Sequence, residues 1–146
     1  MKQLKSAEIL LVEDNPCDAE LTMRALKNQR ICNPIVHVSD GEEALEYLFG
    51  CNPDHPKAWG PRVILMDLKL PKVDGLEVLK AIRQNPLTRL IPVVILTSSN
   101  QECDVLESYR LGANSFLVKP VDSDQYMSVV GDAGRYWATL NEPPGS

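Results

Sequence analysis

The chain lacks the cysteine and histidine patterns of disulfide-rich folds and zinc sites. Its four cysteines are scattered and form no C-x-x-C pair. This spacing favours free thiols in a reducing compartment over a disulfide framework or a zinc site. The two histidines, His37 and His55, stand alone and match no ligand or catalytic-triad pattern. We therefore look for chemistry that needs neither residue type.

Long apolar runs and basic clusters are also missing. No apolar run approaches about 18 residues, the length needed to span a membrane. The N-terminal M-K-Q-L-K-S lacks the apolar core of a signal peptide. The net charge is −5, with no block rich in Lys and Arg, which argues against nucleic acid or an anionic membrane as a partner. We expect a cytoplasmic protein with no nucleic-acid or membrane partner, to which divalent cations and basic protein surfaces are better suited.

Five short apolar runs alternate with helical patterns. The runs at 9–12, 63–66 and 93–96 are too short for helices and lack polar alternation, which is typical of strands buried on both faces of a parallel sheet. Weaker strands are predicted at 35–38 and at 116–118. His37 interrupts the first of these two runs, which favours an edge position for it. Apolar residues at helical spacing predict five helices, at about 16–29, 41–50, 75–84, 101–111 and 122–140. In the fourth helix Val105, Leu106 and Tyr109 should face inward, and in the last helix a long apolar stripe runs to Leu140.

This alternation predicts one α/β domain over residues 7–140, between tails at 1–6 and 141–146, the second of which we expect to be disordered. The architecture is a doubly wound, flavodoxin-like, five-stranded parallel sheet with strand order 2-1-3-4-5. A proline-bearing insertion at 50–61 is added to this plan. Ligands of such sheets bind beyond the carboxyl ends of the strands, at the switch point between strands 1 and 3.

Carboxylates follow the two strands that flank this switch point. Glu13 and Asp14 follow the first strand, and Asp67 follows the third. At an effective dielectric constant of 20, each pair about 4 Å apart repels by about 4 kcal/mol, so a positive charge must lie among them. Lys119, after the fifth strand, is one candidate, and a hard cation such as Mg²⁺ is another. With the hydroxyl of Thr97 these groups suit in-line phosphoryl transfer to Asp67.

Each residue also has a plainer explanation. Asp14 or Asn15 is suited to cap the first helix, and Thr97 to a strand as a β-branched residue. Ser98 or Ser99 is suited to cap the fourth helix. Lys119 can be explained as a charged residue of a solvated loop, and Phe116 as a residue of the core. Chance is a poor explanation for all of them together, at the ends of four different strands.

At these residues the chain resembles the receiver domain of bacterial two-component response regulators, from residue 8 to about residue 140. The resemblance is carried by Glu13-Asp14, by Asp67 in D-L-K-L-P-K-V-D-G, by Thr97 in L-T-S-S and by Lys119 in F-L-V-K-P. The separations also fit, since Thr97 lies 30 residues and Lys119 lies 52 residues after Asp67.

The resemblance implies a phosphoacceptor signalling protein rather than an enzyme. Asp67 would accept a phosphoryl group from a sensor histidine kinase, and Thr97, Ser98 and Lys119 would contact that group. Mg²⁺ would be held by Glu13, Asp14, Asp67 and the backbone carbonyl of Lys69. Thr97 and Phe116 would act as the conformational switch, and the Lys119–Pro120 peptide bond would be cis.

A narrower resemblance is to the small regulators paired with cyanobacterial and bacterial phytochrome kinases. It is carried by the proline-bearing insertion, by S-Y-R-L-G-A-N-S-F-L-V-K-P and by the lack of an output domain. It implies a phytochrome-like kinase as partner and a homodimer built partly on the last helix. Aromatic residues predict where the interface would lie: Trp59, Tyr136 and Trp137. The plainer alternatives are that Trp137 covers the sheet edge and that Trp59 folds onto neighbouring prolines.

Two positions depart from the common receiver pattern. Lys69 stands where many receivers have Asn or a similar polar residue, which leaves the phosphoryl lifetime open. Phe116 replaces a common tyrosine, so no hydroxyl is present at the switch position.

Three rival interpretations remain. A haloacid-dehalogenase-type phosphatase needs a second aspartate two residues after its nucleophile, where this chain has Lys69. A flavodoxin-like flavin protein needs a phosphate loop after the first strand, where Glu13 and Asp14 would repel a phosphate. A receiver fold used only for docking, without phosphorylation, is the third.

Overall fold

The computed structural model describes residues 8–50 and 60–142, in which five strands alternate with five helices. The strands are β1 (Ile9–Val12), β2 (Ile35–Val38), β3 (Val63–Met66), β4 (Val93–Thr97) and β5 (Ser115–Val118). The helices are α1 (Pro16–Asn28), α2 (Gly41–Phe49), α3 (Gly75–Gln84), α4 (Glu102–Arg110) and α5 (Ser123–Arg135). The predicted N-terminal tail, residues 51–59 of the insertion and the last four residues lie outside the described residues.

The strands form one parallel sheet in the order β2-β1-β3-β4-β5, so the predicted fold class and strand order are confirmed. Strand β1 lies beside the switch point, with Ile9 paired to Ile35 of β2 on one side and to Val63 of β3 on the other. The apolar runs of β1, β3 and β4 form strands because a sheet covered by helices on both sides buries both of their faces. Strand β2 lies at an edge, as its interrupted pattern predicted.

Alternate residues of each strand enter two separate cores. One core lies under α2 and α3, and it takes the even-numbered residues of β1 and β3, such as Leu10 and Ile64. The other lies under α1 and α5, and it takes the odd-numbered residues, such as Ile9 and Leu65. This period of two fixes the register, because a slip of one residue would exchange the two faces of a strand.

Helix α4 contradicts the predicted packing. We expected Val105, Leu106 and Tyr109 to face inward, but Leu106 is 58% exposed and Tyr109 is 50% exposed. The buried residue is Ser108, whose hydroxyl donates to the carbonyl of Asp104 at 2.7 Å. A small side chain lets the helix lie close to the sheet, and an apolar pattern over nine residues is too short to fix which face does so.

The last helix ends at the predicted residue, Leu140, but it is not α-helical throughout. The α-helix ends at Arg135, and a π-helical turn (Tyr136–Leu140) continues it. A π-turn contains more residues than an α-turn. The side chains that follow it are therefore rotated away from the apolar face that a continuous α-helix would have. Ala138 is therefore buried, and Leu140, which we predicted on the apolar stripe, is exposed. Among the described residues no helix has the length and apolarity needed to cross a membrane.

Candidate functional site

The loop after β1 combines a buried acid with a helix cap. Glu13 is 2% exposed, and its Oε2 accepts a hydrogen bond from the backbone N–H of Asn15 at 3.1 Å. The Oδ1 of Asn15 accepts from the N–H groups of Cys17 at 2.9 Å and Asp18 at 3.1 Å, so Asn15 is the N-cap of α1. The capping alternative is therefore correct for Asn15, and Asp14 is exposed beside it. Capping fixes the direction in which α1 leaves the sheet.

Asp67 lies directly after β3 and is held by the backbone of its own loop. Its Oδ1 accepts from the N–H of Leu68 at 2.7 Å and, more weakly, from that of Lys69 at 3.4 Å. The loop returns so closely that a Cβ on Gly75 would lie 2.4 Å from the carbonyl oxygen of Asp67. Glycine is needed there because no larger residue fits against that carbonyl. Lys72, in the same loop, adopts a left-handed conformation with φ of 68°.

Lys119 lies between the two acidic loops and donates to three carboxylates. Its Nζ is 2.6 Å from Glu13, 2.9 Å from Asp67 and 2.9 Å from Asp18. The side chains of Lys119 and Asp67 are only 7% and 9% exposed. Burial by itself lowers the pKa of Lys119, but the hydrogen bonds that its ammonium donates to Glu13, Asp67 and Asp18 outweigh this effect and raise that pKa above its ordinary value. The ammonium therefore stays charged throughout the physiological pH range.

The acids are also placed to share a cation. One carboxylate oxygen each of Glu13, Asp14 and Asp67 lies within 4.8 Å of the others. Burial raises the pKa of Glu13, and the hydrogen bond from Lys119 offsets this only in part. The Lys119 ammonium reaches this group of acids, contacting Glu13 and Asp67. Carboxylate oxygens without nitrogen or sulfur ligands suit a hard divalent cation such as Mg²⁺. The backbone carbonyl of Lys69 as a further ligand stays a prediction.

The predicted switch residues lie on the strands beside the acids. Thr97 is fully buried at the end of β4, and its carbonyl accepts from the backbone N–H of Lys119 at 2.7 Å. Its hydroxyl accepts from the N–H of Ser99 at 3.4 Å. Phe116 is partly buried and packs against the core under α2 and α3. Ser98 is exposed after Thr97. The structure brings Thr97 and Lys119 together, and the switching roles stay predictions.

Two contacts were not expected from the sequence. Asp18, in the first turn of α1, is the third acceptor of the Lys119 ammonium. The side chain of Lys69 leaves the crevice, with its Nζ 3.7 Å from Asp104, whose Oδ2 accepts from the Ser99 hydroxyl at 2.5 Å. This contact joins the loop after β3 to α4. Acidic residues are common in the first turn of helices, so no local signal distinguishes Asp18 or Asp104.

The predicted cis peptide bond between Lys119 and Pro120 is wrong. All peptide bonds of the described residues are trans. A trans bond is the intrinsically favoured form even before proline, by about 0.5–1 kcal/mol, and Lys119 reaches all three carboxylates with it.

The predicted interface residues fall in two regions. Trp59 lies outside the described residues. Trp137 is partly buried against the core under α1 and α5, as its covering role required, and Tyr136 is exposed beside it. The two rings meet edge to face, with centroids 5.0 Å apart. Both line a groove between β5 and α5. An interface role for them stays a prediction.

The fold and the site together define an α/β domain with a lysine-bridged acidic crevice at the carboxyl end of its sheet. Residues 9–131 match the model of the response regulator receiver domain. The chain therefore belongs to the response regulator receiver family, whose members are phosphoacceptor signalling proteins.

Relatives cover nearly the whole chain. It is 40% identical to the probable methanogenesis regulatory protein FilR2 of Methanothrix harundinacea, over 94% of this chain and 87% of that protein. It is 39% identical to response regulator Rcp1 of Synechocystis sp., over 88% of this chain and 87% of that protein.

Solved structures of response regulators superpose on nearly the whole chain. The phosphorylated cyanobacterial phytochrome response regulator RcpA is 37% identical and superposes with a TM-score of 0.87, over 96% of this chain and 99% of that one. The bacteriophytochrome response regulator AtBRR is 50% identical with a TM-score of 0.70, over 97% of this chain and 100% of that one. The Mn²⁺-bound form of Rcp1, 36% identical with a TM-score of 0.84 over 94% and 99% of the two chains, shows that a homologue binds a divalent cation.

Proposed function

We propose that Asp67 accepts a phosphoryl group from a phosphohistidine of a sensor histidine kinase. The observation that carries the proposal is the Lys119 ammonium, which joins the Asp67 carboxylate to the acidic loop after β1. A carboxylate oxygen of Asp67 forms a bond to phosphorus as the P–N bond of the phosphohistidine breaks. The electron pair of that bond leaves with the imidazole. The imidazole takes up a proton from water unless its other ring nitrogen already carries one. The products are an acyl phosphate and a neutral histidine.

Mg²⁺ is the cation that this acidic cluster suits. Glu13, Asp14 and Asp67 would hold it, with the backbone carbonyl of Lys69 as a further ligand. Bound there, it supplies positive charge that offsets the charge on the transferring phosphoryl oxygens. Lys119 supplies a second positive charge from the end of β5, and Thr97 and Ser98 supply hydroxyls for the remaining oxygens. The chain's own contribution is positioning and charge compensation.

The output is a changed protein-interaction surface. Attraction of Thr97 to the phosphoryl oxygens opens space at the end of β4, and Phe116 on the neighbouring strand β5 turns into it. The surface formed by α4, β5 and α5 changes as a result. The exposed side chains of Leu106 and Tyr109 on α4 support a role for this surface in binding a partner.

The phosphodonor that the relatives favour is a phytochrome-like kinase. The phytochrome response regulator RcpA and the bacteriophytochrome response regulator AtBRR support this proposal. We place the protein in the cytoplasm, in agreement with the free, exposed thiols of Cys17, Cys32 and Cys103. A homodimer that uses Tyr136 and Trp137 completes the proposal.

The test is the intact mass of the protein after incubation with Mg²⁺ and acetyl phosphate. Wild type should gain one phosphoryl group, and neither Asp67→Asn nor wild type with a chelator should do so. A receiver fold used only for docking would gain no mass under any condition. A phosphatase would instead release phosphate from many small esters at a steady rate. Analytical ultracentrifugation of the two forms then tests the dimer.

A further inference from the structure

Asp18 is held on three sides in the first turn of α1. Its Oδ2 accepts from Lys119 Nζ at 2.9 Å. Its backbone N–H donates to the Asn15 cap at 3.1 Å, and its carbonyl accepts a weak hydrogen bond from the Tyr126 hydroxyl at 3.5 Å. The side chain is 27% exposed, so the ion pair with Lys119 is shielded from most of the solvent. The carboxylate therefore has a defined position in the crevice.

The three acceptors of Lys119 differ in what else they can bind. An ammonium has three N–H donors, and here each donates to a different carboxylate. Glu13 and Asp67 also belong to the acidic cluster that suits a cation, whereas Asp18 does not. Once Glu13 and Asp67 direct their oxygens to a cation, and Asp67 has become an acyl phosphate, Asp18 is the one acceptor of the three that keeps its full charge for Lys119.

We propose that Asp18 is a positioning residue, which holds the Lys119 ammonium in the crevice while the acidic cluster is occupied. This inference rests on the function proposed above. The lysine stem is flexible and has several rotamers, so an ammonium without a fixed acceptor would lose its alignment with the phosphoryl oxygens. Asp18 acts through Lys119 and does not itself contact the reacting atoms.

The direct test follows the Lys119 ammonium by ¹H–¹⁵N NMR, in wild type and in the isosteric, uncharged variant Asp18→Asn. A lysine ammonium gives a resolved signal only when hydrogen bonds slow its exchange with water. Without Mg²⁺ both proteins should show the signal, since Glu13 and Asp67 hold the ammonium. At saturating Mg²⁺ the exchange rate should rise by about tenfold in Asp18→Asn, and much less in wild type. Equal exchange rates in the Mg²⁺-loaded proteins would overturn the proposal.

Phosphorylation kinetics provide the second test. At saturating Mg²⁺ and acetyl phosphate, Asp18→Asn should react about tenfold more slowly than wild type. The charge-conserving Asp18→Glu should recover most of the rate, and a result no better than that of Asp18→Asn would count against an electrostatic hold on Lys119. The control is Glu20→Gln on the same helix, which pairs with Arg24 at the surface and should react like wild type.

The outcomes separate the two proposals. If wild type gains no phosphoryl group, the proposed function fails, while the NMR measurement still decides the role of Asp18. If wild type is phosphorylated and Asp18→Asn reacts equally fast, the function stands and the role of Asp18 is refuted. Far-UV circular dichroism of each variant, with the NMR signals of the core, establishes that the fold is intact.

Discussion

Replacing Lys119 with methionine isolates the charge balance of the crevice. Methionine has a similar length and no charge, so it leaves Glu13 and Asp67 buried without a compensating cation. Breaking a buried ion pair in this way costs about 3–5 kcal/mol of unfolding free energy. We expect a loss in this range for Lys119→Met at about pH 8, where both carboxylates would have to stay ionised.

The loss should shrink as the pH falls. Burial raises the pKa of Glu13 and Lys119 lowers it, so without the ammonium that pKa rises further in the folded state, and the folded protein binds this proton more tightly than the unfolded chain does. Between the unfolded and folded pKa values, stability then increases by up to about 1.4 kcal/mol per carboxyl for each unit that the pH falls. In wild type the pKa of Lys119 is raised in the folded state. The contribution of this residue to the unfolding free energy is therefore constant at any pH below its ordinary pKa of about 10.4. The difference in unfolding free energy between wild type and Lys119→Met should therefore be smaller at about pH 5 than at about pH 8.

Urea unfolding at these two pH values, followed by far-UV circular dichroism, measures the effect. Mg²⁺ should stabilise the variant more than wild type, because it supplies the missing positive charge. The control is Lys69→Met, an exposed lysine 3.7 Å from Asp104, whose loss should cost less than about 1 kcal/mol. An equal loss for Lys119→Met at both pH values, or a loss below about 1 kcal/mol, would refute the reasoning.

Three further variants test how the fold supports the crevice. Gly75→Ala should lower the unfolding free energy by about 1–3 kcal/mol in urea and slow phosphorylation, since its Cβ would meet the Asp67 carbonyl at 2.4 Å. Tyr126→Phe should cost about 1–2 kcal/mol, because the buried Thr22 hydroxyl loses its partner. In an alkaline absorbance titration the same variant should lose a tyrosine whose pKa burial raises to about 12. Arg83→Lys should be destabilised in thermal unfolding by about 1–3 kcal/mol, because lysine cannot reproduce the guanidinium bonds to Gly112, Ile91, Arg89 and Asn114.

The sheet could be predicted from the sequence because its strands carry their own signal. Four apolar residues without alternation have few stable placements other than the interior of a parallel sheet, and Val63–Met66 is such a run. Once the strand order is set, the carboxyl ends of β1 and β3 are neighbours, and the end of β5 lies beyond β4 at the same edge of the sheet. Topology therefore groups Glu13 with Asp67, and the positive charge that these acids require adds Lys119.

The remaining features depend on contacts between distant residues. Asp18 meets Lys119 across 101 positions, and an acidic residue in a first helical turn has an adequate local explanation in the helix dipole. The predicted inward face of α4 is wrong because its buried residue is Ser108, which is not apolar and so does not contribute to an apolar pattern. The π-turn after Arg135 changes which face of the last helix is buried, and an apolar pattern read at a constant period cannot detect it.

The strength of the proposed switch is limited by the number of new bonds at the crevice. A hydrogen bond to a charged group contributes about 1.5–3 kcal/mol, whereas moving a two-state equilibrium from 1:99 to 99:1 requires about 5.5 kcal/mol. Attraction of Thr97 to a phosphoryl group is therefore insufficient alone. Lys119 can add a comparable amount only if it stays aligned after Asp67 is modified, which is the role assigned to Asp18. Any remaining deficit must be met by a contact on the surface of α4, β5 and α5, so phosphorylation and partner binding should strengthen each other.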